Sequence, residues 1–341
     1  MPLHHMARRS TRMVALGGGT GLPAVLEGLA GLTSDGEADV HALTGIVTVT
    51  DDGGSSGRLR QQFGVLPPGD IRNCLVALAR RDSPFSALLQ HRFESEPGIT
   101  GHAVGNLLLT ALTQVTGDFL TAVDQLGAMI GARGRVLPTT VENVRLRAEL
   151  ESGETVSGET RIVSERAPIR RLSLDPSPRP LPQVLRALVN ADAIVVGPGS
   201  LYTSVLPNLL VEGVAATIYG VDAVRIYVAN LMTEPGETDH YTLDDHLRVI
   251  RNHTGYDLFD YILVNRRPID SEAARRYAAL GAEPVLSGRT LRYAGKAQVI
   301  ETDLAIEAGG SKIRHNPIAL ARALHTLVAA GRATTAHAVA I

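Results

Sequence analysis

Short apolar runs alternate along the chain with longer segments in which apolar residues recur every three or four positions. Six runs have the length and β-branched content of strands: Arg12–Leu16, Thr44–Thr50, Ala193–Val196, Ala215–Tyr219, Arg225–Ala229 and Tyr261–Val264. Most of them are continuously apolar, as in strands that helices cover on both faces. Strands that alternate with helical segments are typical of βαβ units. The pattern therefore predicts a three-layer α/β core with a mostly parallel sheet.

Two regions interrupt this alternation. Residues 70–135 are predicted to be a helical insertion, in which Asp70 and Asp118 are N-cap candidates. Residues 141–165 alternate apolar and polar positions, which indicates a small β excursion built as a hairpin or meander. The Pro- and Arg-rich stretch from 168 to 182 is predicted to be a connector that leads back to the sheet.

Composition narrows the class of protein. The chain has 341 residues, of which 44% are hydrophobic and 20% charged, values close to those of globular proteins. Its 33 basic and 35 acidic residues give a formal net charge of −2, so no basic excess favours nucleic acid as a partner. The single cysteine, Cys74, excludes an intramolecular disulfide and a structural zinc site with two thiolates. We expect a soluble protein of a reducing compartment.

The amino terminus superficially resembles a signal peptide, because three arginines precede an apolar stretch. Glycines break that stretch after Met13–Leu16, and no other segment approaches the roughly 18 apolar residues of a membrane helix. We therefore expect no membrane insertion. Residues 1–11 are predicted to be a flexible tail, and residues 12–335 a single domain.

Glycine clusters mark two strand–loop–helix junctions. The first places Gly18, Gly19, Thr20 and Gly21 after the first predicted strand. Glycines let the backbone approach a phosphate, and the free N–H groups at the start of a helix receive its charge. The second junction places Gly199 and Ser200 after another strand. Simple strand-to-helix turns are the alternative, but two such junctions are suited to bracket a diphosphate.

Two adjacent carboxylates follow the predicted strand Thr44–Thr50. Ligands of open α/β sheets bind at the carboxyl ends of the strands. Paired carboxylates there either accept sugar hydroxyls or hold Mg²⁺ with several waters, whereas a solvated turn is the structural alternative. The candidate ligand residues of this loop are Asp51, Asp52, Gly53, Ser55 and Ser56, of which Asp51 and Asp52 are the candidate metal ligands.

Further polar loops open helices or follow strands. An arginine at position 72 lies in a first helical turn, where it opposes the helix dipole and hints at a nearby anion. A histidine and an asparagine four residues apart can face one site, although a lone histidine is as often structural. The candidate ligand residues of these loops are Arg72, Asn73, His102, Asn106, Asn230 and Thr233.

Together these loops resemble the gluconeogenesis-factor (YvcK-like) proteins, in the superfamily of 2-phospho-L-lactate transferase (CofD-like). The matching stretches are Ala15–Gly21, Thr48–Arg58, Pro68–Asn73, Gly101–Asn106, Gly197–Pro207 and Asn230–Thr238. The resemblance implies a Rossmann-like, cytoplasmic protein that binds UDP-sugars such as UDP-N-acetylglucosamine or UDP-glucose. It also implies a role in cell shape and peptidoglycan precursor supply during growth on gluconeogenic carbon.

Two other functions are kept as alternatives. The transferase branch moves a phospholactyl-bearing group from a guanylyl donor onto a deazaflavin precursor with Mg²⁺, and the resemblance leaves open whether this chain catalyses any reaction. A dehydrogenase that uses the Gly19–Ala24 fingerprint needs an acid about 20 residues past the glycines. The sequence departs from that pattern, because its aspartate pair comes about 30 residues after Gly21.

The expected ligand pose follows from these loops. The diphosphate should lie near the two glycine junctions, with Asp51 and Asp52 across the cleft. The resemblance adds Tyr277, whose ring suits stacking on uracil, and Arg314, whose donor fork suits a diphosphate. An apolar helix anchor and a solvated surface charge are their respective alternatives. Homo-oligomerisation is expected from base rates alone.

Overall fold

The computed structural model describes residues 11–37, 40–80, 83–95, 97–285, 291–308 and 312–339. Its strands are β1 (Thr11–Gly17), β2 (Val40–Val47), β3 (Arg135–Pro138), β4 (Arg145–Leu150), β5 (Thr155–Ser157), β6 (Ile169–Asp175), β7 (Ala193–Val196), β8 (Val224–Val228), β9 (Tyr261–Asn265), β10 (Gln298–Thr302), β11 (Ala305–Ala308) and β12 (Lys312–His315). Seven of them form one parallel sheet in the order β10-β9-β8-β7-β1-β2-β3. The predicted α/β fold with a parallel sheet is confirmed.

Helices cover both faces of this sheet. They are α1 (Gly21–Ser34), α2 (Gly54–Phe63), α3 (Gly69–Leu78), α4 (Pro84–Gln90), α5 (Val104–Thr116), α6 (Phe119–Met129), α7 (Glu159–Glu165), α8 (Pro182–Val189), α9 (Leu206–Leu209), α10 (Val214–Gly220), α11 (Leu243–Thr254), α12 (Ser271–Ala279) and α13 (Pro317–Val339). A π-helical turn, Leu201–Val205, leads directly into α9. Within the described residues no single helix is both long enough and apolar enough to cross a bilayer. One pair of helices, Leu201–Leu209 and Val214–Gly220, meets both conditions when it is counted as one segment, and the two helices are bent by 72° relative to each other.

The central strand explains why the apolar runs are continuous. Met13 and Ala15 of β1 pack into a core with α1, α3, α6 and α13, whereas Val14 and Leu16 pack into a second core with α8, α10 and α11. Since alternate side chains of a strand point to opposite faces, both faces must be apolar when both are covered. The helical insertion lies on the first face and the β excursion on the second.

The run Ala215–Tyr219 was predicted to be a strand and is wrong, since it forms most of α10. Val214, Ala215 and Ile218 are buried while Tyr219 is 51% exposed, which is the one-sided burial of a short amphipathic helix. Three β-branched or aromatic residues in a run of five are too few to distinguish the period of a strand from that of a helix.

The β excursion also differs from its prediction. The predicted span 141–165 contains β4 and β5 but ends in helix α7, and the third strand of this antiparallel sheet, β6, lies in the stretch predicted to be a connector. Two adjacent arginines of β6, Arg170 and Arg171, are both exposed at an irregularity of its pairing with β4, which interrupts its alternation. Thr11 of the predicted tail belongs to β1, and the rest of that tail lies outside the described residues.

Candidate functional site

A pocket of about 980 Å³ opens at the carboxyl ends of β1, β7 and β8. Its walls come from the loops after these strands, from α1, α3 and α12, and from the antiparallel hairpin β11–β12. Eight of the residues singled out in the sequence line it: Thr20, Gly21, Asn73, Gly199, Asn230, Thr233, Tyr277 and Arg314. The carboxyl edge of the sheet is therefore concave where the sequence motifs converge.

The two glycine junctions touch each other at the floor of the pocket. A Cβ atom on Gly21 would lie 2.2 Å from the carbonyl oxygen of Pro198, so only glycine allows this approach. The backbone N–H of Gly199 donates to Oδ1 of Asn230 at 2.9 Å. One continuous backbone surface thus joins the start of α1 to the loop after β7.

The first glycine loop already holds an anion of the protein itself. The N–H of Gly19 donates to Oδ2 of Asp70 at 2.7 Å. Burial raises the pKa of Asp70 to about 6, against the opposing effect of this hydrogen bond. The predicted N-cap role of Asp70 is wrong, because α3 begins at Gly69 and Pro68 is its N-cap. The Asp118 N-cap prediction is confirmed, since its side chain accepts from Thr121 N.

Three candidate ligand residues form a buried network behind the pocket instead of lining it. Asn106 Nδ2 donates to Ser55 Oγ at 3.0 Å, and Ser55 Oγ lies 2.9 Å from His102 Nδ1. Burial, then the charges of Arg58 and Arg92, lowers the pKa of His102, so a neutral ring shares this hydrogen bond with the Ser55 hydroxyl. This network fastens the start of α2 to the start of α5.

Two further candidate ligand residues, Ser56 and Arg72, also make hydrogen bonds within the protein. Ser56 Oγ accepts from Gly69 N at 3.1 Å, which joins α2 to α3. Arg72 is buried and donates from Nη2 to Oδ1 of Asn73 at 2.5 Å. Because Asn73 lines the pocket, Arg72 orients a pocket residue without lining the pocket itself.

The adjacent aspartates point in different directions. Asp51 Oδ1 accepts from Gly53 N at 2.9 Å, which is a local turn bond. Asp52 Oδ1 accepts from Thr160 N at 2.9 Å and from its hydroxyl at 2.7 Å, so it holds the first turn of α7. Among the described residues no three His, Cys, Asp or Glu side chains are grouped to hold a metal ion. The described side chains thus form no complete set of metal ligands, and Mg²⁺ binding at Asp51 and Asp52 stays a prediction.

Sequence reasoning missed three acidic side chains at this edge. Glu159, at the start of α7, lies within reach of the Thr50 hydroxyl, and burial, then the charge of Asp51, raises its pKa well above the ordinary value. Glu234 and Glu237 follow β8; burial raises the pKa of both, to about 8 for Glu237. The latter two lie in a loop that the sequence did single out, whereas Glu159 comes from the β excursion, whose fold was mispredicted.

The opposite end of the pocket is more apolar and carries the tyrosine and the arginine. The hydroxyl of Tyr277 accepts from Ile313 N at 3.0 Å, which ties α12 to β12. Arg314 is exposed beside it. His315, also missed, lines the pocket, and burial lowers its pKa to about 4, so its ring is neutral. The apolar lining here is Leu231, Met232, Leu280, Ala282, Ile306 and Ile313.

Comparisons with known proteins agree with this architecture. The family model of 2-phospho-L-lactate transferase CofD matches residues 13–305. The gluconeogenesis factor of Halalkalibacterium halodurans is 42% identical over 318 residues, which cover 93% of this chain and 96% of that protein. The gluconeogenesis factor of Bacillus subtilis is 45% identical over 275 residues, 80% of this chain and 84% of that protein.

Solved structures give the same result. A crystal structure of a UPF0052-family protein from Bacillus halodurans superposes with a TM-score of 0.87 and 42% identity, over 92% of this chain and 99% of that one. The residues matched by the family model include both glycine junctions and the acidic loops. The chain therefore belongs to the CofD family and, within it, to the gluconeogenesis factors.

Proposed function

We propose that this protein binds a UDP-sugar, UDP-N-acetylglucosamine or UDP-glucose, in the pocket at the carboxyl edge of the sheet. The proposal is carried by one observation: a single cavity of about 980 Å³ has two chemically different ends. One end is backbone-lined, at Gly21 and Gly199, and suits phosphate oxygens. The other end carries Tyr277 and Arg314 among apolar side chains and suits a nucleobase.

The pose differs in one respect from the one expected from the sequence. Because Asp70 accepts the N–H of Gly19, the diphosphate is assigned to the surface formed by Thr20, Gly21 and Gly199. Arg314 is exposed at the nucleobase end, and its long side chain extends from there to supply a balancing positive charge to the diphosphate. The uracil ring stacks on Tyr277, and the sugar extends toward Asn73 and Glu234, whose oxygens match its hydroxyls.

The physiological part of the proposal follows from the relatives. Two of them are named gluconeogenesis factors. A cytoplasmic UDP-sugar binder of this family is suited to link carbon supply with peptidoglycan precursor supply and cell shape, as part of the same proposal.

A transferase that acts on a nucleotide-activated donor is the second candidate. The matching family model is named for such an enzyme, and Asp51, Asp70 and Glu159 interact electrostatically at the same edge. Mg²⁺ would reduce the mutual repulsion of these carboxylates. We derive no catalytic step, since the described side chains do not enclose a metal ion.

Isothermal titration of the full chain against UDP-N-acetylglucosamine, UDP-glucose, GDP and NAD, each with and without Mg²⁺, tests both candidates. Binding of a UDP-sugar without Mg²⁺, with no signal for NAD, supports the first. Binding of GDP alone, and only with Mg²⁺, would overturn it in favour of the transferase. Binding of NAD alone would contradict both.

A further inference from the structure

Helix α7 of the β excursion touches two loops that follow different strands of the central sheet. Its first turn is held by Asp52, in the loop after β2, which accepts hydrogen bonds from the N–H and the hydroxyl of Thr160 at 2.9 and 2.7 Å. The approach is close, since a Cβ atom on Gly158 would lie 2.7 Å from Oδ2 of Asp52. The aspartate loop and the start of α7 are therefore tightly packed, so that a shift of one displaces the other.

The other end of α7 contacts the loop after β8. A Cβ atom on Gly236 would lie 2.4 Å from the carbonyl oxygen of Val163 and 3.3 Å from Cγ of Arg166, the C-cap of the helix. Gly236 also has a φ of +87°, so both its conformation and this approach require glycine. Because α7 has only seven residues, Glu159–Glu165, its two contacts lie about 10 Å apart on one rigid element.

The loop after β8 is a wall of the pocket, which residues 230–235 line. Beyond them the loop folds on itself: the N–H of Thr238 donates to the carbonyl oxygen of Glu234 at 2.9 Å, and that of Gly236 to Oδ2 of Asp239 at 2.8 Å. Hydrogen bonds from the loop after β7 hold the same turn separately. One short helix thus connects the aspartate loop with a pocket wall.

We propose that Asp52 is a positioning residue for the pocket, which acts through α7 to hold the loop after β8 in the form that binds the sugar nucleotide. The inference rests on the proposed function. Asp52 does not line the pocket, and its Oδ1 atom already accepts two hydrogen bonds from Thr160. When these bonds are lost, α7 and the wall that it contacts adopt other positions. The apparent affinity then falls with the fraction of molecules that keep the binding form.

Titration calorimetry with UDP-N-acetylglucosamine tests the assignment, in the absence of Mg²⁺ so that a metal ion at Asp52 does not contribute. Asp52→Ala should weaken binding about tenfold, if the released loop keeps its binding form about one tenth of the time. Asp52→Asn keeps an oxygen that accepts from Thr160 N, so its affinity should stay within about twofold of the wild type. A ligand that contacted the carboxylate directly would need its charge.

Asp118→Ala is the matched control. Asp118 accepts from the N–H and the hydroxyl of Thr121 at the start of α6, both at 2.6 Å, so this variant loses the same two kinds of hydrogen bond. Helix α6 contributes no residue to the pocket. Asp118→Ala should therefore lower stability as Asp52→Ala does, but it should bind UDP-N-acetylglucosamine like the wild type.

Hydrogen exchange of the ligand-free protein measures the coupling through α7 in both directions. Asp52→Ala should speed exchange of the Thr238 amide in the loop after β8, and Gly236→Ala should speed exchange of the Thr160 amide at the start of α7. Gly213→Ala is the control for backbone strain, because Gly213 has a φ of +76° but no atom within 4 Å of an added Cβ. It should change neither amide.

Several outcomes would overturn the inference and leave the proposed function standing. They are wild-type affinity in Asp52→Ala, an equal loss in Asp118→Ala, and unchanged exchange at both amides. A loss in Asp52→Asn as large as in Asp52→Ala would also overturn it, in favour of direct contact between the ligand and the carboxylate. Absence of UDP-sugar binding by the wild type would overturn the proposed function, and the exchange rates would then decide alone whether α7 couples the two loops.

Discussion

At the carboxyl edge of the sheet, the contribution of a single residue to stability depends more on its charge than on its shape. Asp70 is a buried carboxylate whose hydrogen bond to Gly19 N replaces water only in part. Its raised pKa means that the folded protein disfavours the ionised form. The unfolded chain ionises the same group near its ordinary value of 3.8, so stability falls as the pH rises from about 4 through 6.

We predict that Asp70→Asn stabilises the protein at pH 8. Asparagine keeps an acceptor for Gly19 N but carries no charge, so the gain should grow from near zero below pH 4 to about 3 kcal/mol at pH 8. Thermal unfolding between pH 4 and pH 8 measures it. Asp303→Asn, at an exposed aspartate, is the control and should show no comparable gain. A pH-independent difference at Asp70 would contradict the argument.

Replacing either the arginine or the tyrosine of the pocket with alanine is predicted to weaken UDP-sugar binding. Arg314→Ala should weaken UDP-sugar binding about tenfold, because it removes a charge-assisted contact. Tyr277→Ala should weaken it by a similar factor, whereas Tyr277→Phe keeps the stacking ring and loses only the hydrogen bond to Ile313 N. Titration calorimetry measures each. Arg266→Ala and Tyr219→Ala, both outside the pocket, are matched controls, and wild-type affinity in Arg314→Ala and Tyr277→Ala would remove both residues from the site.

At the scale of single residues, the sequence predicted the position of the pocket better than the role of each side chain around it. Glycines and polar residues that follow strands did converge, because the carboxyl ends of parallel strands share an edge. The sequence could not show that Ser55, His102 and Asn106 satisfy one another, since that depends on how α2 and α5 pack. Nor could it reveal Glu159, which reaches the edge from α7, the helix between β5 and β6.

At the scale of secondary-structure elements, several side chains that the sequence predicted to bind a ligand instead connect one element to another by hydrogen bonds. Asp52 is the clearest example, since it accepts two hydrogen bonds from Thr160 in the first turn of α7. A binding role and a structural role make different predictions for its replacement.

Asp52→Ala should lower stability by about 1 kcal/mol, as for loss of a helix cap. Asp52→Asn should lower it less, because its amide oxygen still accepts from Thr160 N. Urea unfolding gives both values, and Asp118→Ala, at the N-cap of α6, provides the reference for a cap of known geometry. An Asp52→Ala variant as stable as the wild type would exclude the structural role.

Gly21→Ala is predicted to separate the two glycine junctions. The new methyl group would lie 2.2 Å from Pro198 O, so one loop must shift, at a cost of about 1–3 kcal/mol and with loss of UDP-sugar binding. Gly220→Ala, at the end of α10, meets no atom within 4 Å and should leave both properties unchanged. Thermal unfolding and titration calorimetry test the pair. Tight binding by Gly21→Ala would show that the contact is dispensable.

Prediction of the elements succeeded where burial made the pattern strong. Strands β1, β7, β8 and β9 are nearly continuous apolar runs and were placed within about one residue of each end. β10 was missed because it lies at the edge of the sheet and its side chains are only half-buried or exposed. β3 was missed because it begins with Arg135 and ends with Pro138, so only two apolar side chains lie between them.

The whole molecule is organised around β1, which pairs with β2 on one side and β7 on the other. The carboxyl-terminal helix α13 completes the core on the same face as α1. Gly28 of α1 packs so closely on Pro317 that a Cβ atom there would lie 2.0 Å from its carbonyl oxygen. We therefore expect the two ends of the described chain to unfold together.

Leu324→Ala tests this expectation, because Leu324 is fully buried on α13. It should cost about 2–5 kcal/mol and shift the urea midpoint of the whole protein. Ile318→Ala, at a position 46% exposed on the same helix, should cost less than about 1 kcal/mol. Far-ultraviolet circular dichroism and hydrogen exchange of the β1 amides should report the same midpoint. Loss of α13 while β1 stays protected would contradict a single cooperative unit.

The strand order has a further consequence for how the chain is made on the ribosome. β1 finds β2 as soon as both have been synthesised, but its other edge waits for β7, so that Arg12 bonds to Asp192, 180 residues later. At about 5–20 residues per second, this edge stays unpaired for some ten seconds or more. An open apolar strand edge invites pairing with another chain. The segment between β1 and β7 thus sets a waiting time during which the second edge of β1 stays open to pairing with another chain.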